Sequence, residues 1–248
     1  MPEAGCVCLI TGVQRGERKA DPASYRLDLK RRVVMLEACG CDHVHTVDIH
    51  NESTELAFGV GTGFDSLFSA RTIINYLRGT RDLANAYVVA PDAGAFRRNR
   101  MYAEELGVHV SFLYKYRDQN QPNTLRGVMG FGGHVEDLRG KDVVIVDDMI
   151  DTGGTLVEAA TFLHDKGALH VTAIASHAIL SPPAIERLGA AVSAGVLRDL
   201  VVTNSIAHPA STTEQPWIRF VDISKYFAKA IDCLNQGASL SELLTEAG

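Results

Sequence analysis

No apolar run in the 248 residues approaches the ~20 needed to span a membrane. The opening residues lack the charged start and long apolar core of a secretory signal. Both absences lead us to expect a cytoplasmic chain with no membrane partner. A basic excess is also missing: Lys plus Arg number 24 against 30 Asp plus Glu, with net charge −6. That balance argues against a nucleic-acid partner, while leaving room for a few arginines around a phosphorylated ligand. Cysteines are few and odd in number, at five, which excludes a disulfide framework. Cys6-Val-Cys8 and Cys39-Gly-Cys41 have spacing compatible with metal binding, and His43 and His45 lie close by. On a strand, that spacing puts both sulfurs on one face, and buried cysteine often acts as a small hydrophobe. These cysteines are therefore expected in the core of a reduced protein. Low-complexity segments and repeats are absent. What is present is 46% hydrophobic and 22% charged, enough for a buried core in one large domain or two small ones.

Short apolar runs alternate with helical patterns along the chain. GCVCLI (5–10), HVHTVDIH (43–50), AYVVAPD (86–92), VHVSFLYKYR (108–117), DVVIVDD (142–148), HVTAIASHAIL (170–180), LRDLVVTNSI (197–206) and WIRFVDIS (217–224) have strand character. Apolar residues at helical spacing fill 25–40, 66–79, 95–107, 155–168, 183–192 and 225–237. Strands separated by single helices predict an α/β fold whose mainly parallel sheet has helices on both faces. In such sheets, ligands bind at the carboxyl ends of strands. That rule selects His50, Asp92, Lys115, Asp147 with Asp148, His177 and Asn204. Gly130-Phe-Gly-Gly133 is expected to be a loop before the strand at 142.

The stretch VVIVDDMIDTGGT (143–155) concentrates the chemistry. Its glycines permit close backbone approach and unusual dihedrals. The loop opens a helix whose first amides attract an anion. Thr152 and Thr155 add hydroxyl donors. Asp147, Asp148 and Asp151 should repel a phosphate, unless they accept hydrogen bonds from vicinal hydroxyls or hold a magnesium ion. A sugar phosphate satisfies both demands. A capped helix after a buried strand would account for one Asp and one Thr, but not for the whole string.

This string resembles the phosphoribosyl diphosphate (PRPP) loop shared by type I phosphoribosyltransferases and PRPP synthetases. Further segments fall in synthetase order: TVDIHNES (46–53), FDSLFSA (64–70), VVAPDAGAFRRN (88–99), ASHAILSPPAIERL (175–188), LVVTNSI (200–206) and FVDISKYFAKAI (220–231). The chain is thus similar to ribose-phosphate diphosphokinases over nearly all of its length. The resemblance implies transfer of the β,γ-diphosphoryl group of ATP to the 1-hydroxyl of ribose 5-phosphate, giving PRPP and AMP, with Mg²⁺ as cofactor. It further implies roles for individual positions. Asp147 and Asp148 would hold the ribose 2- and 3-hydroxyls. Asp151, Thr152, Gly153, Gly154 and Thr155 would hold the 5-phosphate. His50 and Asp92 would help place magnesium and the ATP phosphates. Lys115 and Arg117 match the KxR of the family's mobile catalytic loop, and DQNQPNT (118–124) suits a flap.

The sequence also departs from the family. The opening part of a typical synthetase has no counterpart here, so an N-terminally short member with a truncated first lobe is expected. The RQDR segment appears as Arg15-Gly16-Glu17-Arg18, keeping Arg15 and Arg18 for ATP. The family's architecture implies two lobes with type I phosphoribosyltransferase-like parallel sheets flanked by helices. Residues 1–66 with 225–248 would form the first, and 67–224 the second, which carries the PRPP loop. A homo-oligomer, at least a dimer, is expected because the family builds its ATP site across subunits. Three other functions stand beside the main one: the same chemistry on a larger ester such as ADP-ribose, a type I phosphoribosyltransferase, and a silent PRPP synthetase-associated regulatory subunit.

Overall fold

The computed structural model describes residues 7–10, 22–116, 128–132 and 137–240. Arg15, Arg18, Arg117, Cys6 and the flap segment 118–124 lie outside them. The chain divides into two compact units, one formed by residues up to Ser69 together with those from Lys225 onward, the other by Ala70–Ser224. Among the described residues, no helix is long and apolar enough to cross a membrane.

The first unit holds a three-stranded parallel sheet in the order β1 (Val7–Ile10), β2 (His43–Val47), β3 (Gly63–Leu67). Helix α1 (Pro22–Ala38) connects the first two strands, and a 3-10 turn (Glu52–Ala57) precedes the third. Its buried residues include Leu29 and Val33 of α1, Val44 and Val47 of β2, and Leu67 of β3. The polar residues buried with them are His45, Thr46, Asp48 and Ser69. Asp48 accepts hydrogen bonds from the amide and hydroxyl of Ser69 at 3.1 and 2.5 Å. Burial and the nearby His43 hold the His45 imidazole below the usual pKa, while Asp65 acts in the opposite sense. Cys41 is buried, but Cys39 is exposed, so the core expectation fails for Cys39. The reason is local: Cys39 lies in the turn that ends α1, whereas Cys41 is anchored by its thiol donating to the His43 carbonyl at 3.3 Å.

The second unit is a seven-stranded sheet. Its strands are β4 (Ala86–Ala90), β5 (His109–Tyr116), β6 (Val128–Gly132), β7 (Asp142–Ile150), β8 (His170–Ala178), β9 (Asp199–Thr203) and β10 (Ile218–Val221). They lie in the order β10-β9-β8-β7-β4-β5-β6, all parallel except the β5–β6 pair. Period-2 alternation sends Val143 and Ile145 into one core cluster and Val144 and Val146 into the other. Helix α2 (Ala70–Thr80) joins the second cluster through Ala70, Ile73, Ile74 and Leu77. Helix α3 (Phe96–Leu106) adds Tyr102 and Ala103. On the opposite face, helix α4 (Gly154–Asp165) contributes Leu156, Ala159, Ala160 and Leu163, and helix α5 (Ala184–Ser193) contributes Ala184, Leu188 and Ala191. The recurring i, i+3, i+4, i+7 spacing is what makes each segment an amphipathic helix on a sheet.

Two segments differ from the sequence reading. Residues 66 and 67 belong to β3, not to the following helix. Gly130–Gly132 lie in β6 instead of a loop. The glycines face aromatic residues across the antiparallel pair, Gly130 opposite Tyr114 and Gly132 opposite Phe112. A Cβ on Gly132 would come within 2.0 Å of the Phe112 ring, and one on Gly130 within 2.8 Å of the Tyr114 ring. Glycine is there because the aromatic rings cover it.

Candidate active site

The sheet of the second unit winds outward in both directions from the β7–β4 junction. Ligands in open α/β sheets bind at that reversal, beyond the strands' carboxyl ends. β7 runs past its partner there. Its pairing with β4 stops at Val89–Ile145, while pairing with β8 continues to Ile150–Ala178. One edge of β7 is therefore open from Val146 onward, and α3 fills it. The fully buried Asn99 side chain donates to the Val146 carbonyl at 2.7 Å and accepts from the Val146 amide at 3.2 Å.

Asp147 and Asp148 follow at once. Asp148 is 3% exposed, with the Arg98 guanidinium of α3 at 3.8 Å. The Asp148 amide donates to the Asp147 carboxylate at 2.9 Å. Burial pushes the Asp147 carboxyl up to about 7, and the hydrogen bond and charge of Asp148 act in the same direction. The Asp148 amide and Arg98 oppose them. A pair of this kind holds a proton into the neutral range, so it can both donate to and accept from a diol.

After β7 the chain turns through Asp151 and Thr152 into Gly153. Gly153 adopts φ 71°, and a Cβ there would meet Leu188 Cγ at 3.1 Å. Among the described residues no side chain caps α4, which leaves its first amides for an external acceptor. Arg187 of α5 clamps the turn by donating to the Thr152 carbonyl at 2.5 Å. Thr155 is exposed on the first turn of α4.

The structure thus gathers Asp147, Asp148, Asp151, Thr152, Gly153, Gly154 and Thr155 on one strand–turn–helix. Asp92 is exposed just beyond the end of β4, the strand beside β7, and its Oδ1 accepts from the Ala95 amide at 2.9 Å. Lys115 lies near the carboxyl end of β5, on the other side of β4. His50 is exposed after β2 and belongs to the first unit. Two residues selected by the strand-end rule serve the fold. His177 is 3% exposed, and its Nδ1 is 2.9 Å from the Ser205 hydroxyl. Asn204 joins the ends of β9 and β10, donating to Asp222 at 2.7 Å and accepting from the Ile223 amide at 3.0 Å. Sequence reasoning missed Arg98, Asn99 and Arg187. All three lie in segments that carried the resemblance, but a role requires knowing which backbone each one reaches.

Residues 66–188 match the phosphoribosyl transferase domain family, and 132–245 match the phosphoribosyl synthetase-associated domain family. Ribose-phosphate pyrophosphokinase of Campylobacter jejuni is 32% identical over 234 residues, covering 94% of this chain and 70% of that protein. This chain belongs to the ribose-phosphate pyrophosphokinase family. Ribose-phosphate pyrophosphokinase 2 of Saccharomyces cerevisiae is 34% identical, over 92% of this chain and 67% of its own. The crystal structure of phosphoribosylpyrophosphate synthetase from Mycobacterium smegmatis superposes with a TM-score of 0.74 at 25% identity, covering 95% of this chain and 73% of that one. The family is one of transferases, and both the parallel sheets and their flanking helices are those of its fold.

Proposed function

We propose that this chain makes PRPP and AMP from ribose 5-phosphate and ATP, with Mg²⁺ as cofactor. The observation that carries the reading is the Asp147–Asp148 pair running directly into an uncapped, glycine-turned helix N-terminus at the sheet reversal. The second unit is the phosphoribosyltransferase-like lobe, and the first is the synthetase's N-terminal lobe. Asp147 and Asp148 hold the ribose 2- and 3-hydroxyls. Asp151 to Thr155 hold the 5-phosphate, which leaves the 1-hydroxyl facing away from the loop.

That hydroxyl oxygen forms a bond to the β-phosphorus of ATP. The bond from the β-phosphorus to the α,β-bridging oxygen breaks, AMP departs with that oxygen, and the hydroxyl proton is lost to solvent. Negative charge spreads over the phosphoryl oxygens as this happens. Lys115 and Arg117 supply cations against it, and removing one such group commonly costs ~10²–10³ in rate. Arg15 and Arg18 grip the ATP phosphates.

The residues fit magnesium. The exposed carboxylate of Asp92, steadied by the Ala95 amide, is the hard oxygen donor that Mg²⁺ prefers. His50 helps place the ion and the ATP phosphates. When bound, the ion neutralises phosphate charge and orients the polyphosphate.

The test is AMP release from ATP and Mg²⁺ by purified protein, with ribose 5-phosphate and ADP-ribose offered separately. AMP with ribose 5-phosphate, lost in Lys115→Ala, is the expected result. AMP only with ADP-ribose keeps the chemistry and changes the acceptor. No AMP with either overturns the reading in favour of a silent partner subunit.

A further inference from the structure

Two histidines and an aspartate converge in the first unit, in a group distinct from the residues assigned above. His43 and His45 are two apart on β2, so their side chains leave the same face. Parallel register sets Asp65 of β3 opposite His45, and Gly63 opposite His43. Asp65 Oδ2 lies 2.7 Å from His43 Nε2 and 3.5 Å from His45 Nδ1. The imidazoles stack at 4.3 Å with 4° between their planes. One donor atom from each of the three residues lies within 4.8 Å of the other two. Gly63 gives the group its space, since a Cβ there would fall 2.3 Å from His43 Nδ1.

His45 is the telling member. It is 2% exposed, and neither ring nitrogen has a hydrogen-bond partner among the described residues. A neutral imidazole carries one donor and one acceptor, and leaving both unmade in the interior is destabilising. A residue serving only the core would be apolar at this position. A cation taking a lone pair from one ring nitrogen accounts for the imidazole.

We propose that His43, His45 and Asp65 bind a divalent transition metal of the zinc class and so link β2 to β3. The donor set decides the metal. Magnesium and calcium take oxygen ligands, whereas two imidazoles and one carboxylate suit Zn²⁺, Co²⁺, Ni²⁺ or Fe²⁺. Tetrahedral bonds of ~2.0–2.1 Å put donor atoms about 3.3 Å apart. The observed 2.7 and 3.5 Å separations bracket that value. The hydrogen bond between His43 and Asp65 gives way on binding, and any shared proton goes to solvent. Three protein donors leave at least one position for water or another small ligand.

The probes are Co²⁺ and Zn²⁺, titrated into untagged, chelator-treated protein with excess Mg²⁺ present to occupy oxygen-only sites. One equivalent of Co²⁺ should bind with visible d–d absorption, Zn²⁺ should displace it, and Zn²⁺ should raise Tm. His43→Gln and Asp65→Asn should each weaken binding by more than the ~10–100-fold typical of outer-shell changes, with the circular dichroism unchanged. His45→Leu should abolish binding while raising the Tm of the metal-free protein, because it removes two buried nitrogens that make no hydrogen bond among the described residues. A purely structural histidine would not give that combination. Absence of stoichiometric binding overturns the proposal, as does binding that survives both His43→Gln and Asp65→Asn unchanged.

Discussion

Asn99 grips both backbone groups of Val146, one residue before the acid pair, and does for β7 what a neighbouring strand does elsewhere in the sheet. Asn99→Ala leaves a buried donor and a buried acceptor unsatisfied. Each costs about 1–3 kcal/mol, so urea denaturation should show a loss of about 2–6 kcal/mol. Because the freed backbone leads straight into Asp147, the KM for ribose 5-phosphate should rise as well. A stability loss below ~1 kcal/mol would mean that water replaces the carboxamide.

Asp147 should set a pH dependence of stability. Its folded pKa of about 7 lies above the ordinary 3.8, so the folded state holds a proton that the unfolded state has lost. Stability should therefore fall as pH rises between these values, with the full cost present above about 7. Asp147→Asn keeps the acceptor for the Asp148 amide and removes the charge. It should raise Tm above neutrality, by about 2–4 °C for each kcal/mol recovered, and the gain should vanish below the ordinary carboxylate range. A gain that is constant with pH would show that Asp147 is not the titrating group.

The glycine turn and its clamp can be separated. Gly153→Ala forces a side chain into a left-handed conformation and against Leu188. A cost of about 1–3 kcal/mol in stability is expected. Arg187→Leu removes the clamp on Thr152 from a half-buried position, so its effect should fall on affinity for ribose 5-phosphate, with a stability change of about 1 kcal/mol. Calorimetric titration with ribose 5-phosphate and thermal melts of both variants distinguish the two effects.

A further stability test lies at the opposite, amino-terminal end of the sheet. Arg81 donates to Asp199 at 2.5 Å and to the Thr172 hydroxyl at 2.6 Å, and that hydroxyl donates to Asp199 at 2.9 Å. Both charged side chains are nearly buried. Arg81→Leu strands the carboxylate and should cost about 3–5 kcal/mol, with kcat per folded molecule unchanged. Arg81→Leu with Asp199→Leu should recover much of the loss.

The β7–α4 region was legible because several signals coincide there. A continuous apolar run, adjacent acids, a Gly-Gly turn and helical spacing succeed one another within 143–165. β3 was not legible: four of its five residues are only partly buried, so GFDSL carries no apolar run or clear alternation. β6 was hidden by glycines whose purpose appears only when Tyr114 and Phe112 lie across from them. The clamps belong to the same class. Arg187 is 35 residues from Thr152, and Asn99 is 47 from Val146. His43 and His45 drew notice beside the cysteines, but their third member, Asp65, arrives from the next strand through register alone.

The two units also differ in how the chain must be made. Ala70–Ser224 is one uninterrupted stretch, whereas the other unit draws on both sides of it. Domains generally fold as units as they leave the ribosome. The acid pair and its glycine turn can therefore be assembled before synthesis is complete. The unit that holds β1, β2 and β3 is complete only once the residues from Lys225 onward emerge. During that interval the early-made strands are the part of the nascent polypeptide most open to chaperones and to mispairing.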